Sequence, residues 1–269
     1  MKELSFRDIQ IEGNKILNYI KEKCDKNGIT FYLGFGTALG SVRHKGFIPW
    51  DDDIDILMFR NDYESFKALM QKETGRYRLA DVEIEKKYFL LMPKVYDTQT
   101  TSVWPVCDIP YDFGVGVDIF VIDIMPEDHA KQLQLSKKLN TIQKLYNRAV
   151  YKTKHHNNLI ANINALLKSW PKLFGPRFFV KRLYNILRNE KANSDVVANM
   201  LFVPKNNREK YMFKKEIFGN GMLMEFEGVM YKVPANIATY LTMLYGDYME
   251  LPPLDKRIAH HSYRFYYRD

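Results

Sequence analysis

Four aspartates lie close together in this 269-residue chain, at positions 51, 52, 53 and 55. If the segment is extended, alternate side chains share a face, so Asp51, Asp53 and Asp55 point to one side and Asp52 to the other. Three carboxylates within roughly 7 Å repel one another strongly unless a cation lies among them. Hard oxygen ligands suit Mg²⁺ or Mn²⁺, and we predict that Asp51, Asp53 and Asp55 bind such an ion.

A polar turn ahead of a strand is the simpler interpretation of these aspartates. It accounts for Asp51 and Asp52 but not for Asp55, which lies inside the apolar run 54–58. Aspartate is a poor strand former, so its place within such a run lowers stability unless it serves another purpose. The metal site is therefore the stronger hypothesis.

A further carboxylate is expected from a neighbouring strand. Asp118 is a lone acid in the apolar segment 117–120, and Asp123 at the end of the same segment is the second choice. An acid at that place can bind metal or remove the proton from an acceptor hydroxyl, while a hydrogen-bonded structural aspartate is the alternative. The candidate catalytic residues are Asp53, Asp55 and Asp118.

A glycine turn precedes the acidic cluster. After the β-rich run 29–33, Gly34 to Gly36 turn the chain, and Thr37 is predicted to cap a short helix that ends near Arg43. Gly36 lets a phosphate approach the backbone, and free N–H groups at a helix start favour an anion. The spacing GxGxxxG matches neither a dinucleotide-binding motif nor a P-loop, so a tight turn without ligand stays open.

Positive charge follows this helix. Arg43 can grip a phosphate with two hydrogen bonds, and Lys45 can act as a point charge. A solvated basic loop is the alternative interpretation.

The elements that must position these residues are read from hydrophobic periodicity. They alternate between helices and strands, which indicates a layered α/β or α+β domain. The predicted helices are 6–26, 37–43, one capped by Asn61 or Asp62, several in the block 129–189, and 236–244; the predicted strands are 29–33, 53–58, 77–79, 88–95 and 117–123.

A glycine turn with a helix, then a carboxylate strand and a later acidic strand, is the arrangement of the nucleotidyltransferase fold. The run GTALGSVRHKGFIPWDDDIDI at residues 36–56 strongly resembles the LicD family of phosphotransferases, apart from Ser41, where the family commonly has alanine. The resemblance covers residues 1–125 and about 200–261. Its further matches are Pro93-Lys94-Val95 with Asp97 and Thr100, Val117 to Phe120, Phe226-Glu227-Gly228, Val233-Pro234 and the block from Tyr245 to His261.

This resemblance implies an α+β fold with a nucleotidyltransferase-like mixed β-sheet core flanked by helices. The implied divisions are a catalytic core at 1–128, a basic helical insertion at 129–199, and a segment at 200–269 that completes the catalytic domain. The implied reaction moves phosphocholine, or a related alditol phosphate, from a CDP-linked donor to a sugar hydroxyl and releases CMP. The implied acceptor is a lipid-linked precursor of a teichoic acid or capsular glycan. Mg²⁺ or Mn²⁺ would be held by the three aspartates, and Arg43, Lys45 and Lys94 would be secondary phosphate contacts.

CDP-choline is the favoured donor, and its choline would need a site for a cation. Aromatic faces attract quaternary ammonium groups, although packing in the core or at a rim is the alternative for each ring. The substrate-binding candidates are therefore Gly36, Thr37, Arg43, Lys45, Trp50 and Lys94, and the further aromatic candidates are Tyr88, Tyr96, Trp104 and Tyr111.

The net charge of +8 comes from one block. Of the 40 Lys and Arg residues, 13 lie in 129–189, which has no Asp or Glu; the remaining chain has 27 basic and 32 acidic residues. Apolar residues at helical spacing among basic ones are typical of helices on an anionic membrane surface. A helical subdomain packed on the core is the alternative, and nucleic-acid binding is not expected because no recognised module is present.

The remaining composition bears on location. Cys24 and Cys107 form no CxxC pair, which argues against a cysteine zinc site and fits a reducing compartment. The N-terminus is polar, and no apolar stretch is long enough to span a bilayer. We expect a cytoplasmic enzyme, peripheral on the inner face of the cell membrane.

Three rival functions stay open. A nucleotidyltransferase would release pyrophosphate, and a glycosyltransferase using Asp53-Ile54-Asp55 as a DxD motif would release a nucleoside diphosphate. A membrane- or nucleic-acid-binding module with an inactive site would show no metal-dependent turnover and would bind with steep salt dependence.

Overall fold

The structure is a computed structural model that describes residues 1–102, 112–151, 158, 165–190, 192–199, 201, 208–258 and 264–269. The helices of the described ranges are α1 Phe6–Asn27, α2 Phe35–His44, α3 Arg60–Met70, α4 His129–Val150, α5 Pro176–Asn189 and α6 Ile237–Tyr245. The strands are β1 Lys2–Glu3, β2 Tyr32–Leu33, β3 Asp55–Phe59, β4 Tyr77–Ala80, β5 Lys94–Asp97, β6 Thr100–Ser102, β7 Gly116–Ile124, β8 Val196–Ala198, β9 Met212–Lys214, β10 Met222–Phe226, β11 Val229–Val233 and β12 Phe265–Tyr267.

The central sheet has the strand order β2-β3-β7-β5-β4. Strands β3 and β7 are parallel, and the other neighbours on this path are antiparallel. The end of β7 also pairs with β8, which pairs with β9. This mixed sheet with separate helices confirms the α+β expectation, while the nucleotidyltransferase-like assignment stays a prediction.

The register of the sheet places charged residues in a row. Asp55 of β3 lies opposite Asp118 of β7, which lies opposite Lys94 of β5. The residues next along the two parallel strands, Ile56 and Ile119, are fully buried. Because side chains alternate along a strand, one face of the sheet is apolar, and the other carries this charged row.

Helix α1 forms as the sequence predicts. Ser5 and Asp8 make a reciprocal capping box at its start, and Gly28 ends it in the left-handed conformation with φ 65°. Its apolar stripe, which includes Ile16, Leu17 and Ile20, is fully buried. The helix packs against β5 and β7, which fixes one side of the sheet.

The C-terminal third returns to the start of the chain. Hairpin β10–β11 contacts α2 and β2, and α6 contacts α2. Helix α6 begins at the side-chain cap of Asn236 and ends at Gly246, where φ is 72°. A small sheet of β1, β12 and β6 joins the two chain ends.

The basic block contributes α4 and α5, which pack on each other. The Tyr146 hydroxyl of α4 donates a hydrogen bond to the Phe89 carbonyl, and Arg188 of α5 forms an ion pair with Glu83. Both helices are thus attached to the core. The predicted helical residues 159–164 lie outside the described residues, and the domain boundaries stay a prediction.

Two predicted helix caps are wrong. Thr37 does not cap α2, because the helix begins at Phe35 after Gly34. The N-cap of α3 is Phe59, not Asn61 or Asp62, and the Asp62 carboxylate accepts a hydrogen bond from the Thr30 N–H at 3.0 Å. In both places the polar side chain serves a tertiary contact instead of the helix start.

Three predicted strands are shorter than expected. The run 29–33 supplies only Tyr32 and Leu33, the acidic strand begins at Asp55, and the run 88–95 supplies only its last two residues. Before β5 the chain turns back on itself, since the Tyr88 hydroxyl donates to the Met92 carbonyl at 2.7 Å. Tyr88, Phe89 and Leu91 are buried, while Leu90 and Met92 are half-buried, so the segment packs on the core as a loop.

Asp123 has a structural partner. Its two oxygens accept hydrogen bonds from the Nε and Nη2 of Arg60, each at 2.8 Å. The side chain of Asp123 is 8% exposed and that of Arg60 is 19% exposed. A paired, buried carboxylate at the far end of β7 stabilises the fold, so Asp123 is not the second choice for catalysis.

We expect Asp123→Asn to lower the free energy of unfolding by about 3 kcal/mol, because it leaves the Arg60 guanidinium poorly compensated in a mostly buried place. Urea unfolding measures the change. The matched control is Glu22→Gln, which removes an exposed ion pair with Lys26 and should cost less than about 1 kcal/mol. Equal losses in the two variants would contradict the structural role of the Arg60–Asp123 pair.

Candidate active site

The three predicted metal-binding aspartates line one cavity of about 580 Å³. Asp51 and Asp53 lie in the loop before β3, and Asp55 is the first residue of that strand. The structure therefore brings all three to the same wall, although only Asp55 belongs to a strand.

Backbone hydrogen bonds hold this wall in place. The Asp55 N–H donates to the Thr37 hydroxyl at 2.8 Å, and the Asp55 carbonyl accepts from the Gly34 N–H at 2.9 Å. At the other end of the loop, the Gln10 amide donates to the Asp51 carbonyl at 2.8 Å. Thr37, proposed from sequence as a substrate contact, thus positions Asp55 and is not part of the cavity wall.

Asp118 and Lys94 lie next to Asp55 in the sheet. The Lys94 Nζ is 3.0 Å from the Asp118 Oδ1, and both residues are buried. The stem of Lys94 crosses Gly116, where an added Cβ would lie 2.5 Å from Lys94 Cδ. Neither Asp118 nor Lys94 lines the cavity, so they form a charged pair set back from its wall.

The row formed by Asp55, Asp118 and Lys94 has further carboxylates near its Asp55 end. Desolvation and the nearby charges of Asp53, Asp118 and Asp51 raise the pKa of Asp55 well above its usual range, while Lys94 acts in the opposite direction. A cation placed among these carboxylates would relieve that cost.

The first turn of α2 lines the cavity beside the aspartates. Phe35 has φ 40°, which is unusual for a residue with a side chain, and its N–H donates to the Tyr240 hydroxyl at 3.1 Å. The Asp51 Oδ2 lies 2.6 Å from the place that a Cβ on Gly36 would take. A glycine is required there so that a carboxylate can approach the first turn of the helix, where negative charge is favoured.

The opposite wall comes from the last residue of α6 and the segment that follows it. Arg43 fastens this segment to α2, because its Nη1 donates to the Tyr248 carbonyl at 3.1 Å and to the Glu250 carbonyl at 3.4 Å. The buried Nε of Arg43 has no hydrogen-bond partner within the described residues. The wall residues of this segment are Tyr245, Asp247, Tyr248, Glu250, Leu251, Pro252 and Pro253.

The sequence analysis missed Asp247 and Glu250 as site residues. The block that contains them contributed to the family resemblance, which was the available signal, but no residue of it was assigned a role. With them, five carboxylates line the cavity.

The aromatic candidates fall in different places. Trp50 lines the cavity, and the guanidinium of Arg257 lies over its ring at 5.4 Å. Tyr88 is buried, and Tyr96 on β5 is half-buried and outside the cavity wall. Trp104 and Tyr111 lie outside the described residues. Of the described aromatic residues, Phe35, Trp50, Tyr245 and Tyr248 line this cavity.

Lys45 is not brought to the cavity. Its side chain is 76% exposed, and its Nζ lies 3.8 Å from the Glu225 carboxylate. It ends α2 in the left-handed conformation, with φ 54°.

Glu227 is a further positioning residue at the tip of hairpin β10–β11. Its N–H donates to the Lys45 carbonyl at 2.9 Å, and its carboxylate accepts from the Phe47 N–H at 3.3 Å. The other carboxylate oxygen accepts from Arg7 at 2.9 Å. Gly46 leaves room for this carboxylate, since an added Cβ would lie 2.3 Å from it. Glu227 thus holds the loop between α2 and the aspartates.

As they stand, no three acidic, histidine or cysteine side chains within the described ranges are gathered closely enough to hold a metal ion. The donor set nevertheless fits a hard divalent cation, because carboxylate oxygens from several aspartates lie in one cavity. Asp51, Asp53 and Asp55 would have to turn toward a shared ion.

Comparison with known proteins places this site in a family. A family model described as LicD/FKTN/FKRP, nucleotidyltransferase domain, matches residues 28–138. The lipopolysaccharide cholinephosphotransferase LicD of Haemophilus influenzae is 31% identical over 273 residues, covering 99% of each chain. The chain belongs to the LicD family. The predictions of LicD membership and of an enzyme of the phosphotransferase type are confirmed.

Two uncharacterized proteins share a shorter region with this LicD-family chain. One, from Rickettsia typhi, is 43% identical over 60 residues, which are 22% of this chain and 19% of the relative. The other, from Rickettsia prowazekii, is 41% identical over 59 residues, covering 20% and 22% of the two chains.

We expect Gly36→Ala to lower turnover by at least about tenfold, because its Cβ would displace the Asp51 carboxylate and misplace reacting groups. The matched control is Gly75→Ala, where an added Cβ meets nothing within 4 Å. Steady-state rates of the two purified variants give the comparison, with circular dichroism to check folding. Full turnover of a folded Gly36→Ala protein would show that the close approach of Asp51 is not needed.

Proposed function

We propose that this enzyme transfers phosphocholine from CDP-choline to a hydroxyl of a cell-surface glycan precursor and releases CMP. The observation that carries the proposal is the cavity in which Asp51, Asp53 and Asp55 face a wall built by the C-terminal segment. The cholinephosphotransferase activity named for the Haemophilus relative, which aligns over the whole chain, supports the cargo. A related alditol phosphate is the alternative cargo.

The two walls suit the two ends of the donor. A quaternary ammonium group is attracted by aromatic faces and by carboxylates, and the wall after α6 offers Tyr245, Tyr248, Asp247 and Glu250. The diphosphate belongs beside the aspartate wall, where Arg43 from α2 supplies a fixed positive charge.

A divalent cation, Mg²⁺ or Mn²⁺, is part of the proposal. Asp51, Asp53 and Asp55 would hold it, and it would supply charge neutralisation for the diphosphate and the leaving CMP. The raised pKa of Asp55 is in keeping with this assignment, because burial first, and then the charges of Asp53, Asp118 and Asp51, disfavour its charged form, and a bound cation would relieve that cost.

The chain's own residues have three tasks in the reaction. The acceptor oxygen forms a bond to the phosphorus that bears choline, and the bond from that phosphorus to the CMP oxygen breaks. The acceptor's proton passes to a carboxylate of the cavity, while Asp118, set back in its pair with Lys94, positions Asp55 from the neighbouring strand. Arg43 and the two walls orient donor and acceptor, which is the main source of acceleration in phosphoryl transfer.

The acceptor is proposed to be a glycan precursor on a lipid carrier, at the inner face of the cell membrane. The name of the Haemophilus relative gives lipopolysaccharide as its acceptor. Teichoic acid and capsular precursors are the acceptors that the family resemblance implies, and they remain alternatives in this proposal. No helix in the described part of the chain is long and apolar enough to cross a membrane.

We expect the double variant Asp53→Asn/Asp55→Asn to lower the rate of CMP release from CDP-choline by at least about a hundredfold. The variant would lose ligands of the proposed divalent cation, and with that cation the charge stabilisation of the transition state. Asp25→Asn, at an exposed position on α1, is the control and should keep the rate. The assay contains Mg²⁺ and a crude lipid-linked glycan acceptor, and CMP is measured by chromatography.

The product decides among the rival reactions. Pyrophosphate release would replace the proposal with a nucleotidyltransferase, and release of a nucleoside diphosphate from a sugar nucleotide would replace it with a glycosyltransferase. Turnover with CDP-glycerol or CDP-ribitol in place of CDP-choline would keep the reaction and change the cargo.

The metal assignment has a test that does not depend on turnover. Titration of the metal-free protein with Mn²⁺, followed by electron paramagnetic resonance, should show binding that the Asp53→Asn/Asp55→Asn variant loses by at least about tenfold. Asp25→Asn should bind Mn²⁺ as the unchanged protein does. Equal Mn²⁺ affinity in all three proteins would remove these aspartates from the metal site.

A further inference from the structure

Within the basic block, large apolar side chains are exposed together just before α5 and in its first turn. Leu173 is 86% exposed, Phe174 55% and Trp170 45%, and Phe178 in the first turn of α5 is also exposed. We call these four residues the aromatic ridge. Leu166 and Leu167, just before it, are exposed as well. An exposed apolar patch of this kind marks an interaction surface more often than it marks incomplete folding.

The aromatic ridge has a defined local structure. Trp170 to Leu173 form a short 3₁₀ helix with Pro171 buried, and Gly175, at φ 71°, leads into the first residue of α5, Pro176. The rings contact one another: Trp170 and Phe174 have centroids 5.8 Å apart, and Phe174 and Phe178 5.3 Å apart. The rings are therefore held in one cluster on the outside of the protein.

Packing on the core does not require the ridge. Helix α5 already buries a full apolar face, formed by Phe179, Val180, Leu183, Tyr184 and Leu187. Phe178 adjoins this face, since its ring meets that of Phe179 edge-on with centroids 5.2 Å apart, but it stays 41% exposed and also contacts Phe174 and the Arg182 guanidinium, the latter at 5.6 Å. The ridge residues are additional to those that hold the helix on the protein.

The charges around the ridge have one sign. Lys168, Lys172, Arg177, Lys181 and Arg182 flank it in sequence, and the whole block 129–189 has no acidic residue. The first turn of α5 carries Arg177 and no acid, although the helix dipole favours negative charge there. Arg177 is therefore placed against the local preference of the helix, and together with the other four basic residues it suits an external anionic partner.

We infer that the aromatic ridge inserts into the surface of a lipid bilayer that contains anionic phospholipid. Aromatic and leucine side chains enter the boundary between headgroups and acyl chains, while flanking Lys and Arg bind the headgroups. A second copy of this chain is a poor occupant, because two surfaces of the same positive charge repel each other. The inference goes beyond the proposed reaction and explains how the enzyme would meet an acceptor held in a membrane.

Vesicle sedimentation tests the inference with the full chain. It should bind vesicles of phosphatidylcholine mixed with phosphatidylglycerol at least about tenfold more tightly than vesicles of phosphatidylcholine alone. Leu173→Ser/Phe174→Ser, which removes apolar groups without changing charge, should lower binding to the mixed vesicles at least about tenfold. Lys172→Gln/Lys181→Gln should lower it and weaken its dependence on salt. The matched control is Leu223→Ser, since Leu223 is 59% exposed on β10, away from the basic block.

Several results would overturn the inference. They are equal binding to both kinds of vesicle, binding that Leu173→Ser/Phe174→Ser leaves unchanged, and a dimer in size-exclusion chromatography that this variant dissolves while vesicles are not bound. Tighter binding to RNA than to the mixed vesicles would also overturn it.

Two forms of the acceptor distinguish loss of membrane binding from loss of the proposed reaction. With a delipidated, water-soluble acceptor, Leu173→Ser/Phe174→Ser should release CMP at the rate of the unchanged protein. With the same acceptor carried on vesicles, its rate should fall at least about tenfold. Loss of CMP release with both acceptors in every protein would count against the reaction and leave vesicle binding to be judged by sedimentation.

Discussion

Repulsion among carboxylates at the start of β3 is the constraint on which the site depends. Asp51, Asp53 and Asp55 share a cavity wall, and Asp118 lies one strand behind them, outside that wall. Among the residues that the structure describes, the buried Lys94 supplies a positive charge beside Asp118. Repulsion between these carboxylates favours their separation, so the arrangement persists only when surrounding contacts hold the aspartates in place. The Thr37 hydroxyl supplies one such contact at the first residue of β3, and the Gln10 amide and the Glu227 carboxylate supply two more on the loop between α2 and β3.

Two distant parts of the chain build the cavity. The aspartate wall lies within the segment that the family model matches, whereas the opposite wall lies within residues 245–253 and is fastened to α2 through Arg43. Hairpin β10–β11 acts in the same way through Glu227. A substitution in the C-terminal third can therefore alter the aspartate site without direct contact. It would do so by weakening the contacts that hold the loop between α2 and β3 or the opposite wall of the cavity.

Periodicity predicted the elements whose apolar faces are continuous. The stripe of α1 and the alternation of β7 were visible in the sequence and are present in the structure. The caps were not predictable in the same way: Thr37 and Asp62 have the side chains that cap helices, but both bind backbone N–H groups of other segments. The Lys94–Asp118 pair and the charged row depend on strand register, which one sequence does not specify. The segment 88–92 has strand-like residues yet forms a packed loop.

The position of Arg257 limits where the cargo can lie. Its guanidinium already occupies a face of Trp50, and its Nε donates to the Pro252 carbonyl at 2.8 Å, so the contact is held at both ends. A donor ammonium would have to displace this arginine to use the same face of the ring, and it would meet like charge on the way. Tyr245 and Tyr248 line the cavity beside Asp247 and Glu250, which attract a cation. In the proposed reaction a cationic cargo would therefore lie at the tyrosine end of the C-terminal wall, and the aspartate wall would take the proposed diphosphate and divalent cation.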